Sequence, residues 1–521
     1  MTYRAPLKDM LFDMQHLANI AAVSQLPGFE DAGLDTAAAV LEECAKLNEG
    51  VVAPLNWEGD KAPSSWKDGV VTTTAGFKDA FRQFVEGGWQ GLHHPTDFGG
   101  QGLPKLIHAA CIEMVNSANL SFALCPLLTD GAIEALLTAG SDDMKATYIP
   151  PMIEGRWTGT MNLTEPQAGS DLAAVRSRAE PQPDGTYKVF GTKIFITYGE
   201  HDMAENIVHL VLARVTGAPE GVKGISLFVV PKFMVNADGS LGARNDVHCV
   251  SIEHKLGIKA SPTAVLQYGD QGGAVGYLVG QENRGLEYMF VMMNAARYAV
   301  GMQGIAIAER AYQKAVAFAR DRVQSRPVDG ALNAAAPIIH HPDVKRMLMT
   351  MRAFTEGCRA MALVAAMAGA RAADITGRVT SGGRPVSELF LSASCNGGGP
   401  CAVPGGAIAV TDANGNYRVP NVVNGAFSIT LLGSSPGYEI IPSFRSGTVA
   451  GSTVSLSGVQ TTVNAVSLAL LAAETQMGLP GAPVIPVPAP AAVFPGLDPG
   501  NLAALAELPL VTAGGVLPGA V

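Results

Sequence analysis

The chain has 521 residues, of which 48% are hydrophobic and 16% charged, with a formal net charge of -10. This length exceeds what one hydrophobic core organises, so several domains are expected, and the composition excludes a disordered, charge-rich chain. The acidic balance, without a long Lys/Arg block, excludes non-specific nucleic-acid binding, and no uncharged apolar run is long enough to cross a bilayer as a helix.

The start, from Met1 to Met10, has no apolar core followed by a small-residue cleavage site, so no secretory signal is read and a cytoplasmic location is expected. From about residue 35 to 150, Ala, Leu and Met recur at helical spacing, which predicts an N-terminal helical domain over 1–157. Over 158–275 the period shifts towards two. Runs such as Tyr187 to Phe190, Ile194 to Thr197, Ile207 to Val215 and Ile225 to Val230, separated by Asp-Gly and Gly turns, predict a small β-barrel. Helices return after Gly285. In the last of them Val344, Leu348, Met351, Thr355, Cys358, Ala362, Ala365 and Gly369 form a stripe at steps of four and three, suited to packing on partner helices. Left without partners, such a stripe would favour association.

The composition changes near Ala373. Lys345 is the last lysine, and residues 374 to 521 hold four basic and seven acidic residues. Short alternating strands with Asn-Gly turns predict a β-sandwich over 374–475, and 476–521 reads as an irregular Pro/Ala/Gly-rich tail. The expected fold class is therefore multidomain α+β: an N-terminal helical domain, a middle β-barrel, an incomplete C-terminal helical bundle over 276–373, a small β-sandwich and an irregular tail.

The seven cysteines show no CxxC spacing and read as buried thiols, while Cys395 and Cys401 bracket a Gly-rich loop that a disulfide could close. The pairs His93-His94 and His340-His341 are adjacent, and neighbours point apart in a helix or strand, so no metal site is expected. Walker A, HExxH, GxSxG and GxGxxG motifs are absent. What stands out is the polar, Gly-containing segment Met161 to Leu172, whose backbone donors and hydroxyls can reach a ligand.

That segment resembles the first signature of the acyl-CoA dehydrogenase family, departing at Asn162, where a smaller residue is usual. Further segments resemble the family in its order. They are His94 to Gly102 (the "P-x-x-[YF]-G-G-x-G" turn), Lys193 to Thr197 with Phe195 in place of the commoner Trp, Lys255 to Thr263, and Gly280 to Leu286 before a long helix ending at Arg326. The resemblance covers residues 1 to 373 and is truncated there. Residues 374 to about 458 resemble a carboxypeptidase regulatory-like sandwich instead. Tyr3 to Phe12 is similar to the branch that includes 3-methylmercaptopropionyl-CoA dehydrogenases, which implies a short acyl-CoA or a thioether analogue as substrate.

The resemblance implies FAD as cofactor and an electron-transfer flavoprotein as acceptor. It implies that Leu163, Thr164, Phe195 and Thr197 contact the flavin ring, that Ser170 sits near the flavin phosphate or CoA, and that Arg297 lies on the substrate side. Arg322 with Gln324 matches a motif that reaches the FAD of a neighbouring subunit, which implies a homo-oligomer, although Ser325 and Arg326 depart from the usual pattern. Removal of an α-proton also needs a positioned carboxylate. One subgroup carries it just before the arginine matched by Arg297, where this chain has Ala296; most members carry it beyond residue 373. Glu439 is the remaining candidate. The expected function is FAD-dependent α,β-dehydrogenation of an acyl-CoA with its usual base missing, and the alternatives are a non-catalytic flavin and acyl-CoA binder or a β-sandwich binding module.

Overall fold

A computed structural model describes residues 3–370, apart from 27 and 331, together with strands between 372 and 460. The chain divides into two units at Ala370 and Arg371. The helical stretch thus ends three residues before the compositional break, and Ala373 already lies in the strand Ala372–Ser381.

In the first unit, helices α1 (Leu7–His16), α2 (Leu34–Leu47), α3 (Phe77–Glu86), α4 (Lys105–Ala118), α5 (Leu120–Ala139) and α6 (Asp142–Ile153) precede the barrel. Asn119 caps α5 by accepting from Phe122 N at 3.1 Å, and Ser141 caps α6 by accepting from Met144 N at 3.2 Å, each satisfying a helix-start donor. Helix α5 is long and apolar enough to cross a membrane, but 67% of its apolar window is buried inside the fold. It is a core helix with two carboxylates, Asp130 and Glu134, built into it.

The barrel strands are β1 (Trp157–Asn162), β2 (Arg178–Pro181), β3 (Tyr187–Thr197), β4 (Asn206–Val215), β5 (Ile225–Pro231), β6 (Val247–Ile252), β7 (Thr263–Tyr268) and β8 (Ala274–Val279). They pair in the order β6-β7-β3-β8-β5-β4-β1, and β2 pairs with both β3 and β4, which closes the sheet on itself as the sequence pattern predicts. Two of the predicted runs merge, because β3 is one strand of 11 residues. Strands β4 and β5 are buried on both faces. Val211, Ala213, Phe228 and Val230 fill the barrel, while Val208, Leu210, Leu227 and Val229 meet Leu136, Met152, Met289 and Met292 of the helices. This alternation of period two locks the barrel onto the helical layer.

Helices α7 (Gly285–Asp321) and α8 (Pro342–Ala370) complete the unit, packing on each other and on α4. The buried face of α8 drifts from the predicted stripe. Thr355, Arg359, Leu363 and Ala366 are buried, whereas Ala365 is exposed. The cause is Arg359, which turns inward to Glu113 on α4 and Glu309 on α7 at 2.7 Å each. The most open apolar residues of α8 are instead Met349, Phe354 and Met361, which are 67 to 71% exposed.

In the turn after α3, Gly100 stands directly against the backbone. A Cβ on Gly100 would lie 2.1 Å from the His94 carbonyl oxygen, which already accepts from Gly102 N. Gly100→Ala is expected to lower stability by about 1–3 kcal/mol, read as a lower midpoint in urea unfolding. An unchanged midpoint would refute this close approach.

The second unit, taken by itself, holds two four-stranded sheets. In one, Ala372–Ser381 pairs antiparallel with Asn416–Val423 and parallel with Thr453–Gln460. In the other, Phe390–Cys395 lies between Ala407–Val410 and Gly425–Leu431.

Candidate functional site

The loop after β1 is folded by its own glutamate. Glu165 and Ala168 exchange backbone hydrogen bonds at 2.9 and 3.0 Å, making a tight turn. The Glu165 carboxylate accepts from Arg176 N at 2.7 Å and Ser177 N at 3.0 Å, which ties down the far end of the loop. It also meets Lys193 Nζ at 2.8 Å, and Lys193 donates to Leu163 O at 3.0 Å. Both side chains are nearly inaccessible, at 0% and 3% exposure. Burial would raise the Glu165 carboxyl, but Lys193 and the donors of Ser177 and Arg176 outweigh it and hold it at about 2. Burial pulls the Lys193 ammonium down to about 8 against the pull of Glu165. Both are therefore charged near pH 7, as a buried pair with satisfied partners can be.

Next to this pair, β3 carries a bulge. Lys193 pairs with Leu266 and Ile196 with Ala264, so Ile194 and Phe195 oppose the single residue Val265. Phe195 adopts φ 61°, left-handed backbone that bulky residues rarely occupy, and its ring is 57% exposed. Ile194 N donates to Thr164 O at 2.9 Å, which draws β3 against the loop. The result is a ledge on which Leu163, Thr164 and Thr197 are half-buried beside a displayed aromatic face. Strain kept at an exposed aromatic is a feature of ligand sites.

The departure at Asn162 has a local reason. Its side chain is buried, accepts from Tyr268 Oη at 3.0 Å and donates to Thr160 Oγ1 at 2.8 Å, so a polar residue is satisfied there.

Fold brings only part of the predicted set together. Leu163, Thr164, Phe195 and Thr197 share the ledge, while Ser170 is exposed on the adjoining loop. Arg297 lies apart on α7, exposed, donating to Asn294 Oδ1 at 2.8 Å. Ala296 precedes it, half-buried. Arg322 is exposed just past the end of α7 and donates to Gln324 Oε1 at 3.3 Å, in a short hairpin closed by Gln324 N to Ala336 O and Ile338 N to Arg322 O. Glu439 and Cys401, and with Cys401 any pairing to Cys395, lie outside the described residues.

Two features were not found from sequence. The Glu165–Lys193 lock joins residues 28 apart, and its signal was a glutamate and a lysine in separate family-like motifs. A cavity of about 210 Å³ lies among the helices, lined by Cys44, Trp89, Cys111, Leu127, Tyr298 and Ala299, among others. The expectation that His93 and His94 point apart is also corrected. They sit in a turn between Gly91 and Pro95 rather than in a helix or strand, and their rings are 4.0 Å apart. His341 Nε2 lies 2.8 Å from Gln324 O.

The architecture is of the helix–barrel–helix class, with the Phe195 ledge beside the loop that follows β1. Residues 61–156, 160–270 and 283–381 match, in order, the N-terminal, middle and C-terminal domains of acyl-CoA dehydrogenase. Over these residues the chain belongs to the acyl-CoA dehydrogenase family. It is 58% identical over 363 residues to 3-methylmercaptopropionyl-CoA dehydrogenase of Ruegeria pomeroyi, covering 70% of this chain and 61% of that relative. To the broad-specificity linear acyl-CoA dehydrogenase FadE5 of Mycobacterium tuberculosis it is 37% identical, with the same two coverages. The chain thus spans about three-fifths of the length of these relatives. Butyryl-CoA dehydrogenase of Megasphaera elsdenii shares the fold, with a TM-score of 0.52 at 22% identity over 65% of this chain and 83% of that one.

Proposed function

We propose that this chain is an FAD-dependent oxidoreductase that removes the α- and β-hydrogens of an acyl-CoA thioester. The observation that carries the reading is the ledge: an exposed aromatic residue held in left-handed backbone, on a strand hydrogen-bonded to a loop that a buried ion pair locks. These residues suit a flat heteroaromatic ring. A Cβ added to Gly169 would meet nothing within 4 Å, so the loop beside the ledge is open to a larger group. FAD would supply the redox step, while Leu163, Thr164, Phe195 and Thr197 hold its ring and Ser170 its phosphate side or the CoA. Arg297 would serve the substrate side. Arg322 and Gln324 would reach the FAD of a neighbouring copy, making the working form a homo-oligomer in the cytoplasm. The similarity to a 3-methylmercaptopropionyl-CoA dehydrogenase favours a short acyl-CoA or thioether analogue, with an electron-transfer flavoprotein as acceptor.

A second reading, flavin and acyl-CoA binding without turnover, is favoured by Ala296 at one of the two expected base positions. Anaerobic addition of butyryl-CoA or 3-methylmercaptopropionyl-CoA to the FAD-loaded protein separates the two. Bleaching of the yellow flavin supports dehydrogenation; persistent colour with a perturbed flavin spectrum supports binding alone. Protein that takes up no FAD discards both. If bleaching occurs, Glu439→Gln tests whether that carboxylate is the base.

A further inference from the structure

Away from the ledge, three imidazoles and two carboxylates converge where the His93–His94 turn meets α4 and α5. The His93 and His108 rings stack with centroids 3.9 Å apart. Asp130 Oδ1 accepts from Gln90 Nε2 at 2.6 Å and lies 2.9 Å from His94 Nε2, while its Oδ2 lies 3.3 Å from His108 Nε2. Glu134 Oε1 is 3.6 Å from His93 Nε2 and 2.8 Å from Lys105 Nζ. These contacts do not complete the group. Nδ1 of His93, His94 and His108 and Oε1 of Gln90 are buried without a hydrogen-bond partner. The His93 and His94 side chains are only 5% and 1% exposed. Buried polar atoms are ordinarily paired, so this many orphans on one cluster mark a missing partner.

The geometry points to a binding site for a divalent transition-metal ion of the zinc type, with His93, His108 and Asp130 as its ligands. One donor atom from each of these three lies within 4.8 Å of the others. Ligand atoms around tetrahedral zinc stand roughly 3.3 Å apart, so small side-chain rotations close the set. Two imidazoles and a carboxylate are donors that zinc accepts. Gln90 and His94 hold Asp130 by its other oxygen, as outer partners hold ligands in metal sites. Asp130 and Glu134 bring two negative charges to a group whose formal cation is Lys105, and a divalent ion offsets the excess. His93, His108 and Asp130 all line the helical cavity, so the fourth position of the ion faces it and is open to a donor atom of a molecule bound there.

The test uses the full chain, stripped with a chelator, incubated with zinc chloride and desalted before metal analysis, with cobalt(II) absorption as a second readout. About one equivalent of zinc should be retained, and cobalt should give the visible bands of a four-coordinate site. His93→Ala/His108→Ala and Asp130→Asn should each weaken retention at least roughly tenfold. Cys44→Ser/Cys111→Ser, which removes the thiols lining the same cavity, should leave it unchanged. The assignment is overturned if folded wild-type protein retains no metal, if the histidine and aspartate variants retain as much as wild type, or if the cysteine variant loses it.

Discussion

Arg359→Ala is expected to cost about 3–5 kcal/mol, the usual effect of removing one member of a buried ion-pair group. The guanidinium donates to Glu113 through Nε at 2.9 and 3.0 Å and through Nη2 at 2.7 Å, and to Glu309 through Nη2 at 2.7 Å. Arg359 and Glu113 are wholly buried and Glu309 is 9% exposed, so the substitution leaves two carboxylates facing each other away from water. Burial already pushes the Glu113 carboxyl up despite Arg359, so little margin exists for losing the cation. In thermal unfolding, a loss of this size lowers the midpoint of a cooperative unit of some 370 residues by roughly 5 °C. The combined variant Arg359→Met/Glu113→Leu/Glu309→Leu should recover most of the loss, because it removes the stranded charges along with their partner. A midpoint unchanged in Arg359→Ala would show that the triad does not hold α4, α7 and α8 together.

Lys193→Met should leave the global fold in place and cut FAD affinity about 10- to 100-fold, equivalent to roughly 1.4–2.8 kcal/mol. The substitution strands the Glu165 carboxylate, which then retains Arg176 N, Ser177 N and Gln167 Nε2 as donors. It also releases Leu163 O from Nζ, and with it the loop that carries Thr164 and Ser170. Flavin retained after gel filtration, with far-UV circular dichroism as the check on folding, measures the effect. The exposed Lys223→Met is the control, and equal flavin retention in both variants would show that the lock does not shape the ledge. The same pair sets an acid limit. The Glu165 carboxyl is lower in the folded chain, at about 2, than its unfolded value of about 4.3. Its contribution is therefore present above about pH 4.3 and is lost as pH falls towards 2, and this part of the acid limb should be absent from Lys193→Met.

Local pattern was enough for the order of the domains, and family resemblance for the residues of the ledge. Period-two runs placed β4 and β5 and helical spacing placed the flanking layers, whereas Leu163, Thr164, Phe195 and Thr197 were listed together through two separate segments that resemble the family. Such features are written in neighbouring residues and need no knowledge of what packs on them. Contacts between distant residues were not legible in this way. The bulge that displays Phe195 depends on the register of β3 against β7, and the lock depends on Glu165 meeting a lysine 28 positions on. The stripe on α8 was drawn from apolar residues alone. Its true inward face includes Arg359, because two carboxylates on other helices make a buried arginine favourable there. For the same reason His93 and His94 read as an unrelated pair until the turn at Gly91 and the helices α4 and α5 brought His108, Asp130 and Glu134 around them. A side chain's propensity is local, but whether a charge or an imidazole can be buried is settled by partners that only the tertiary fold supplies.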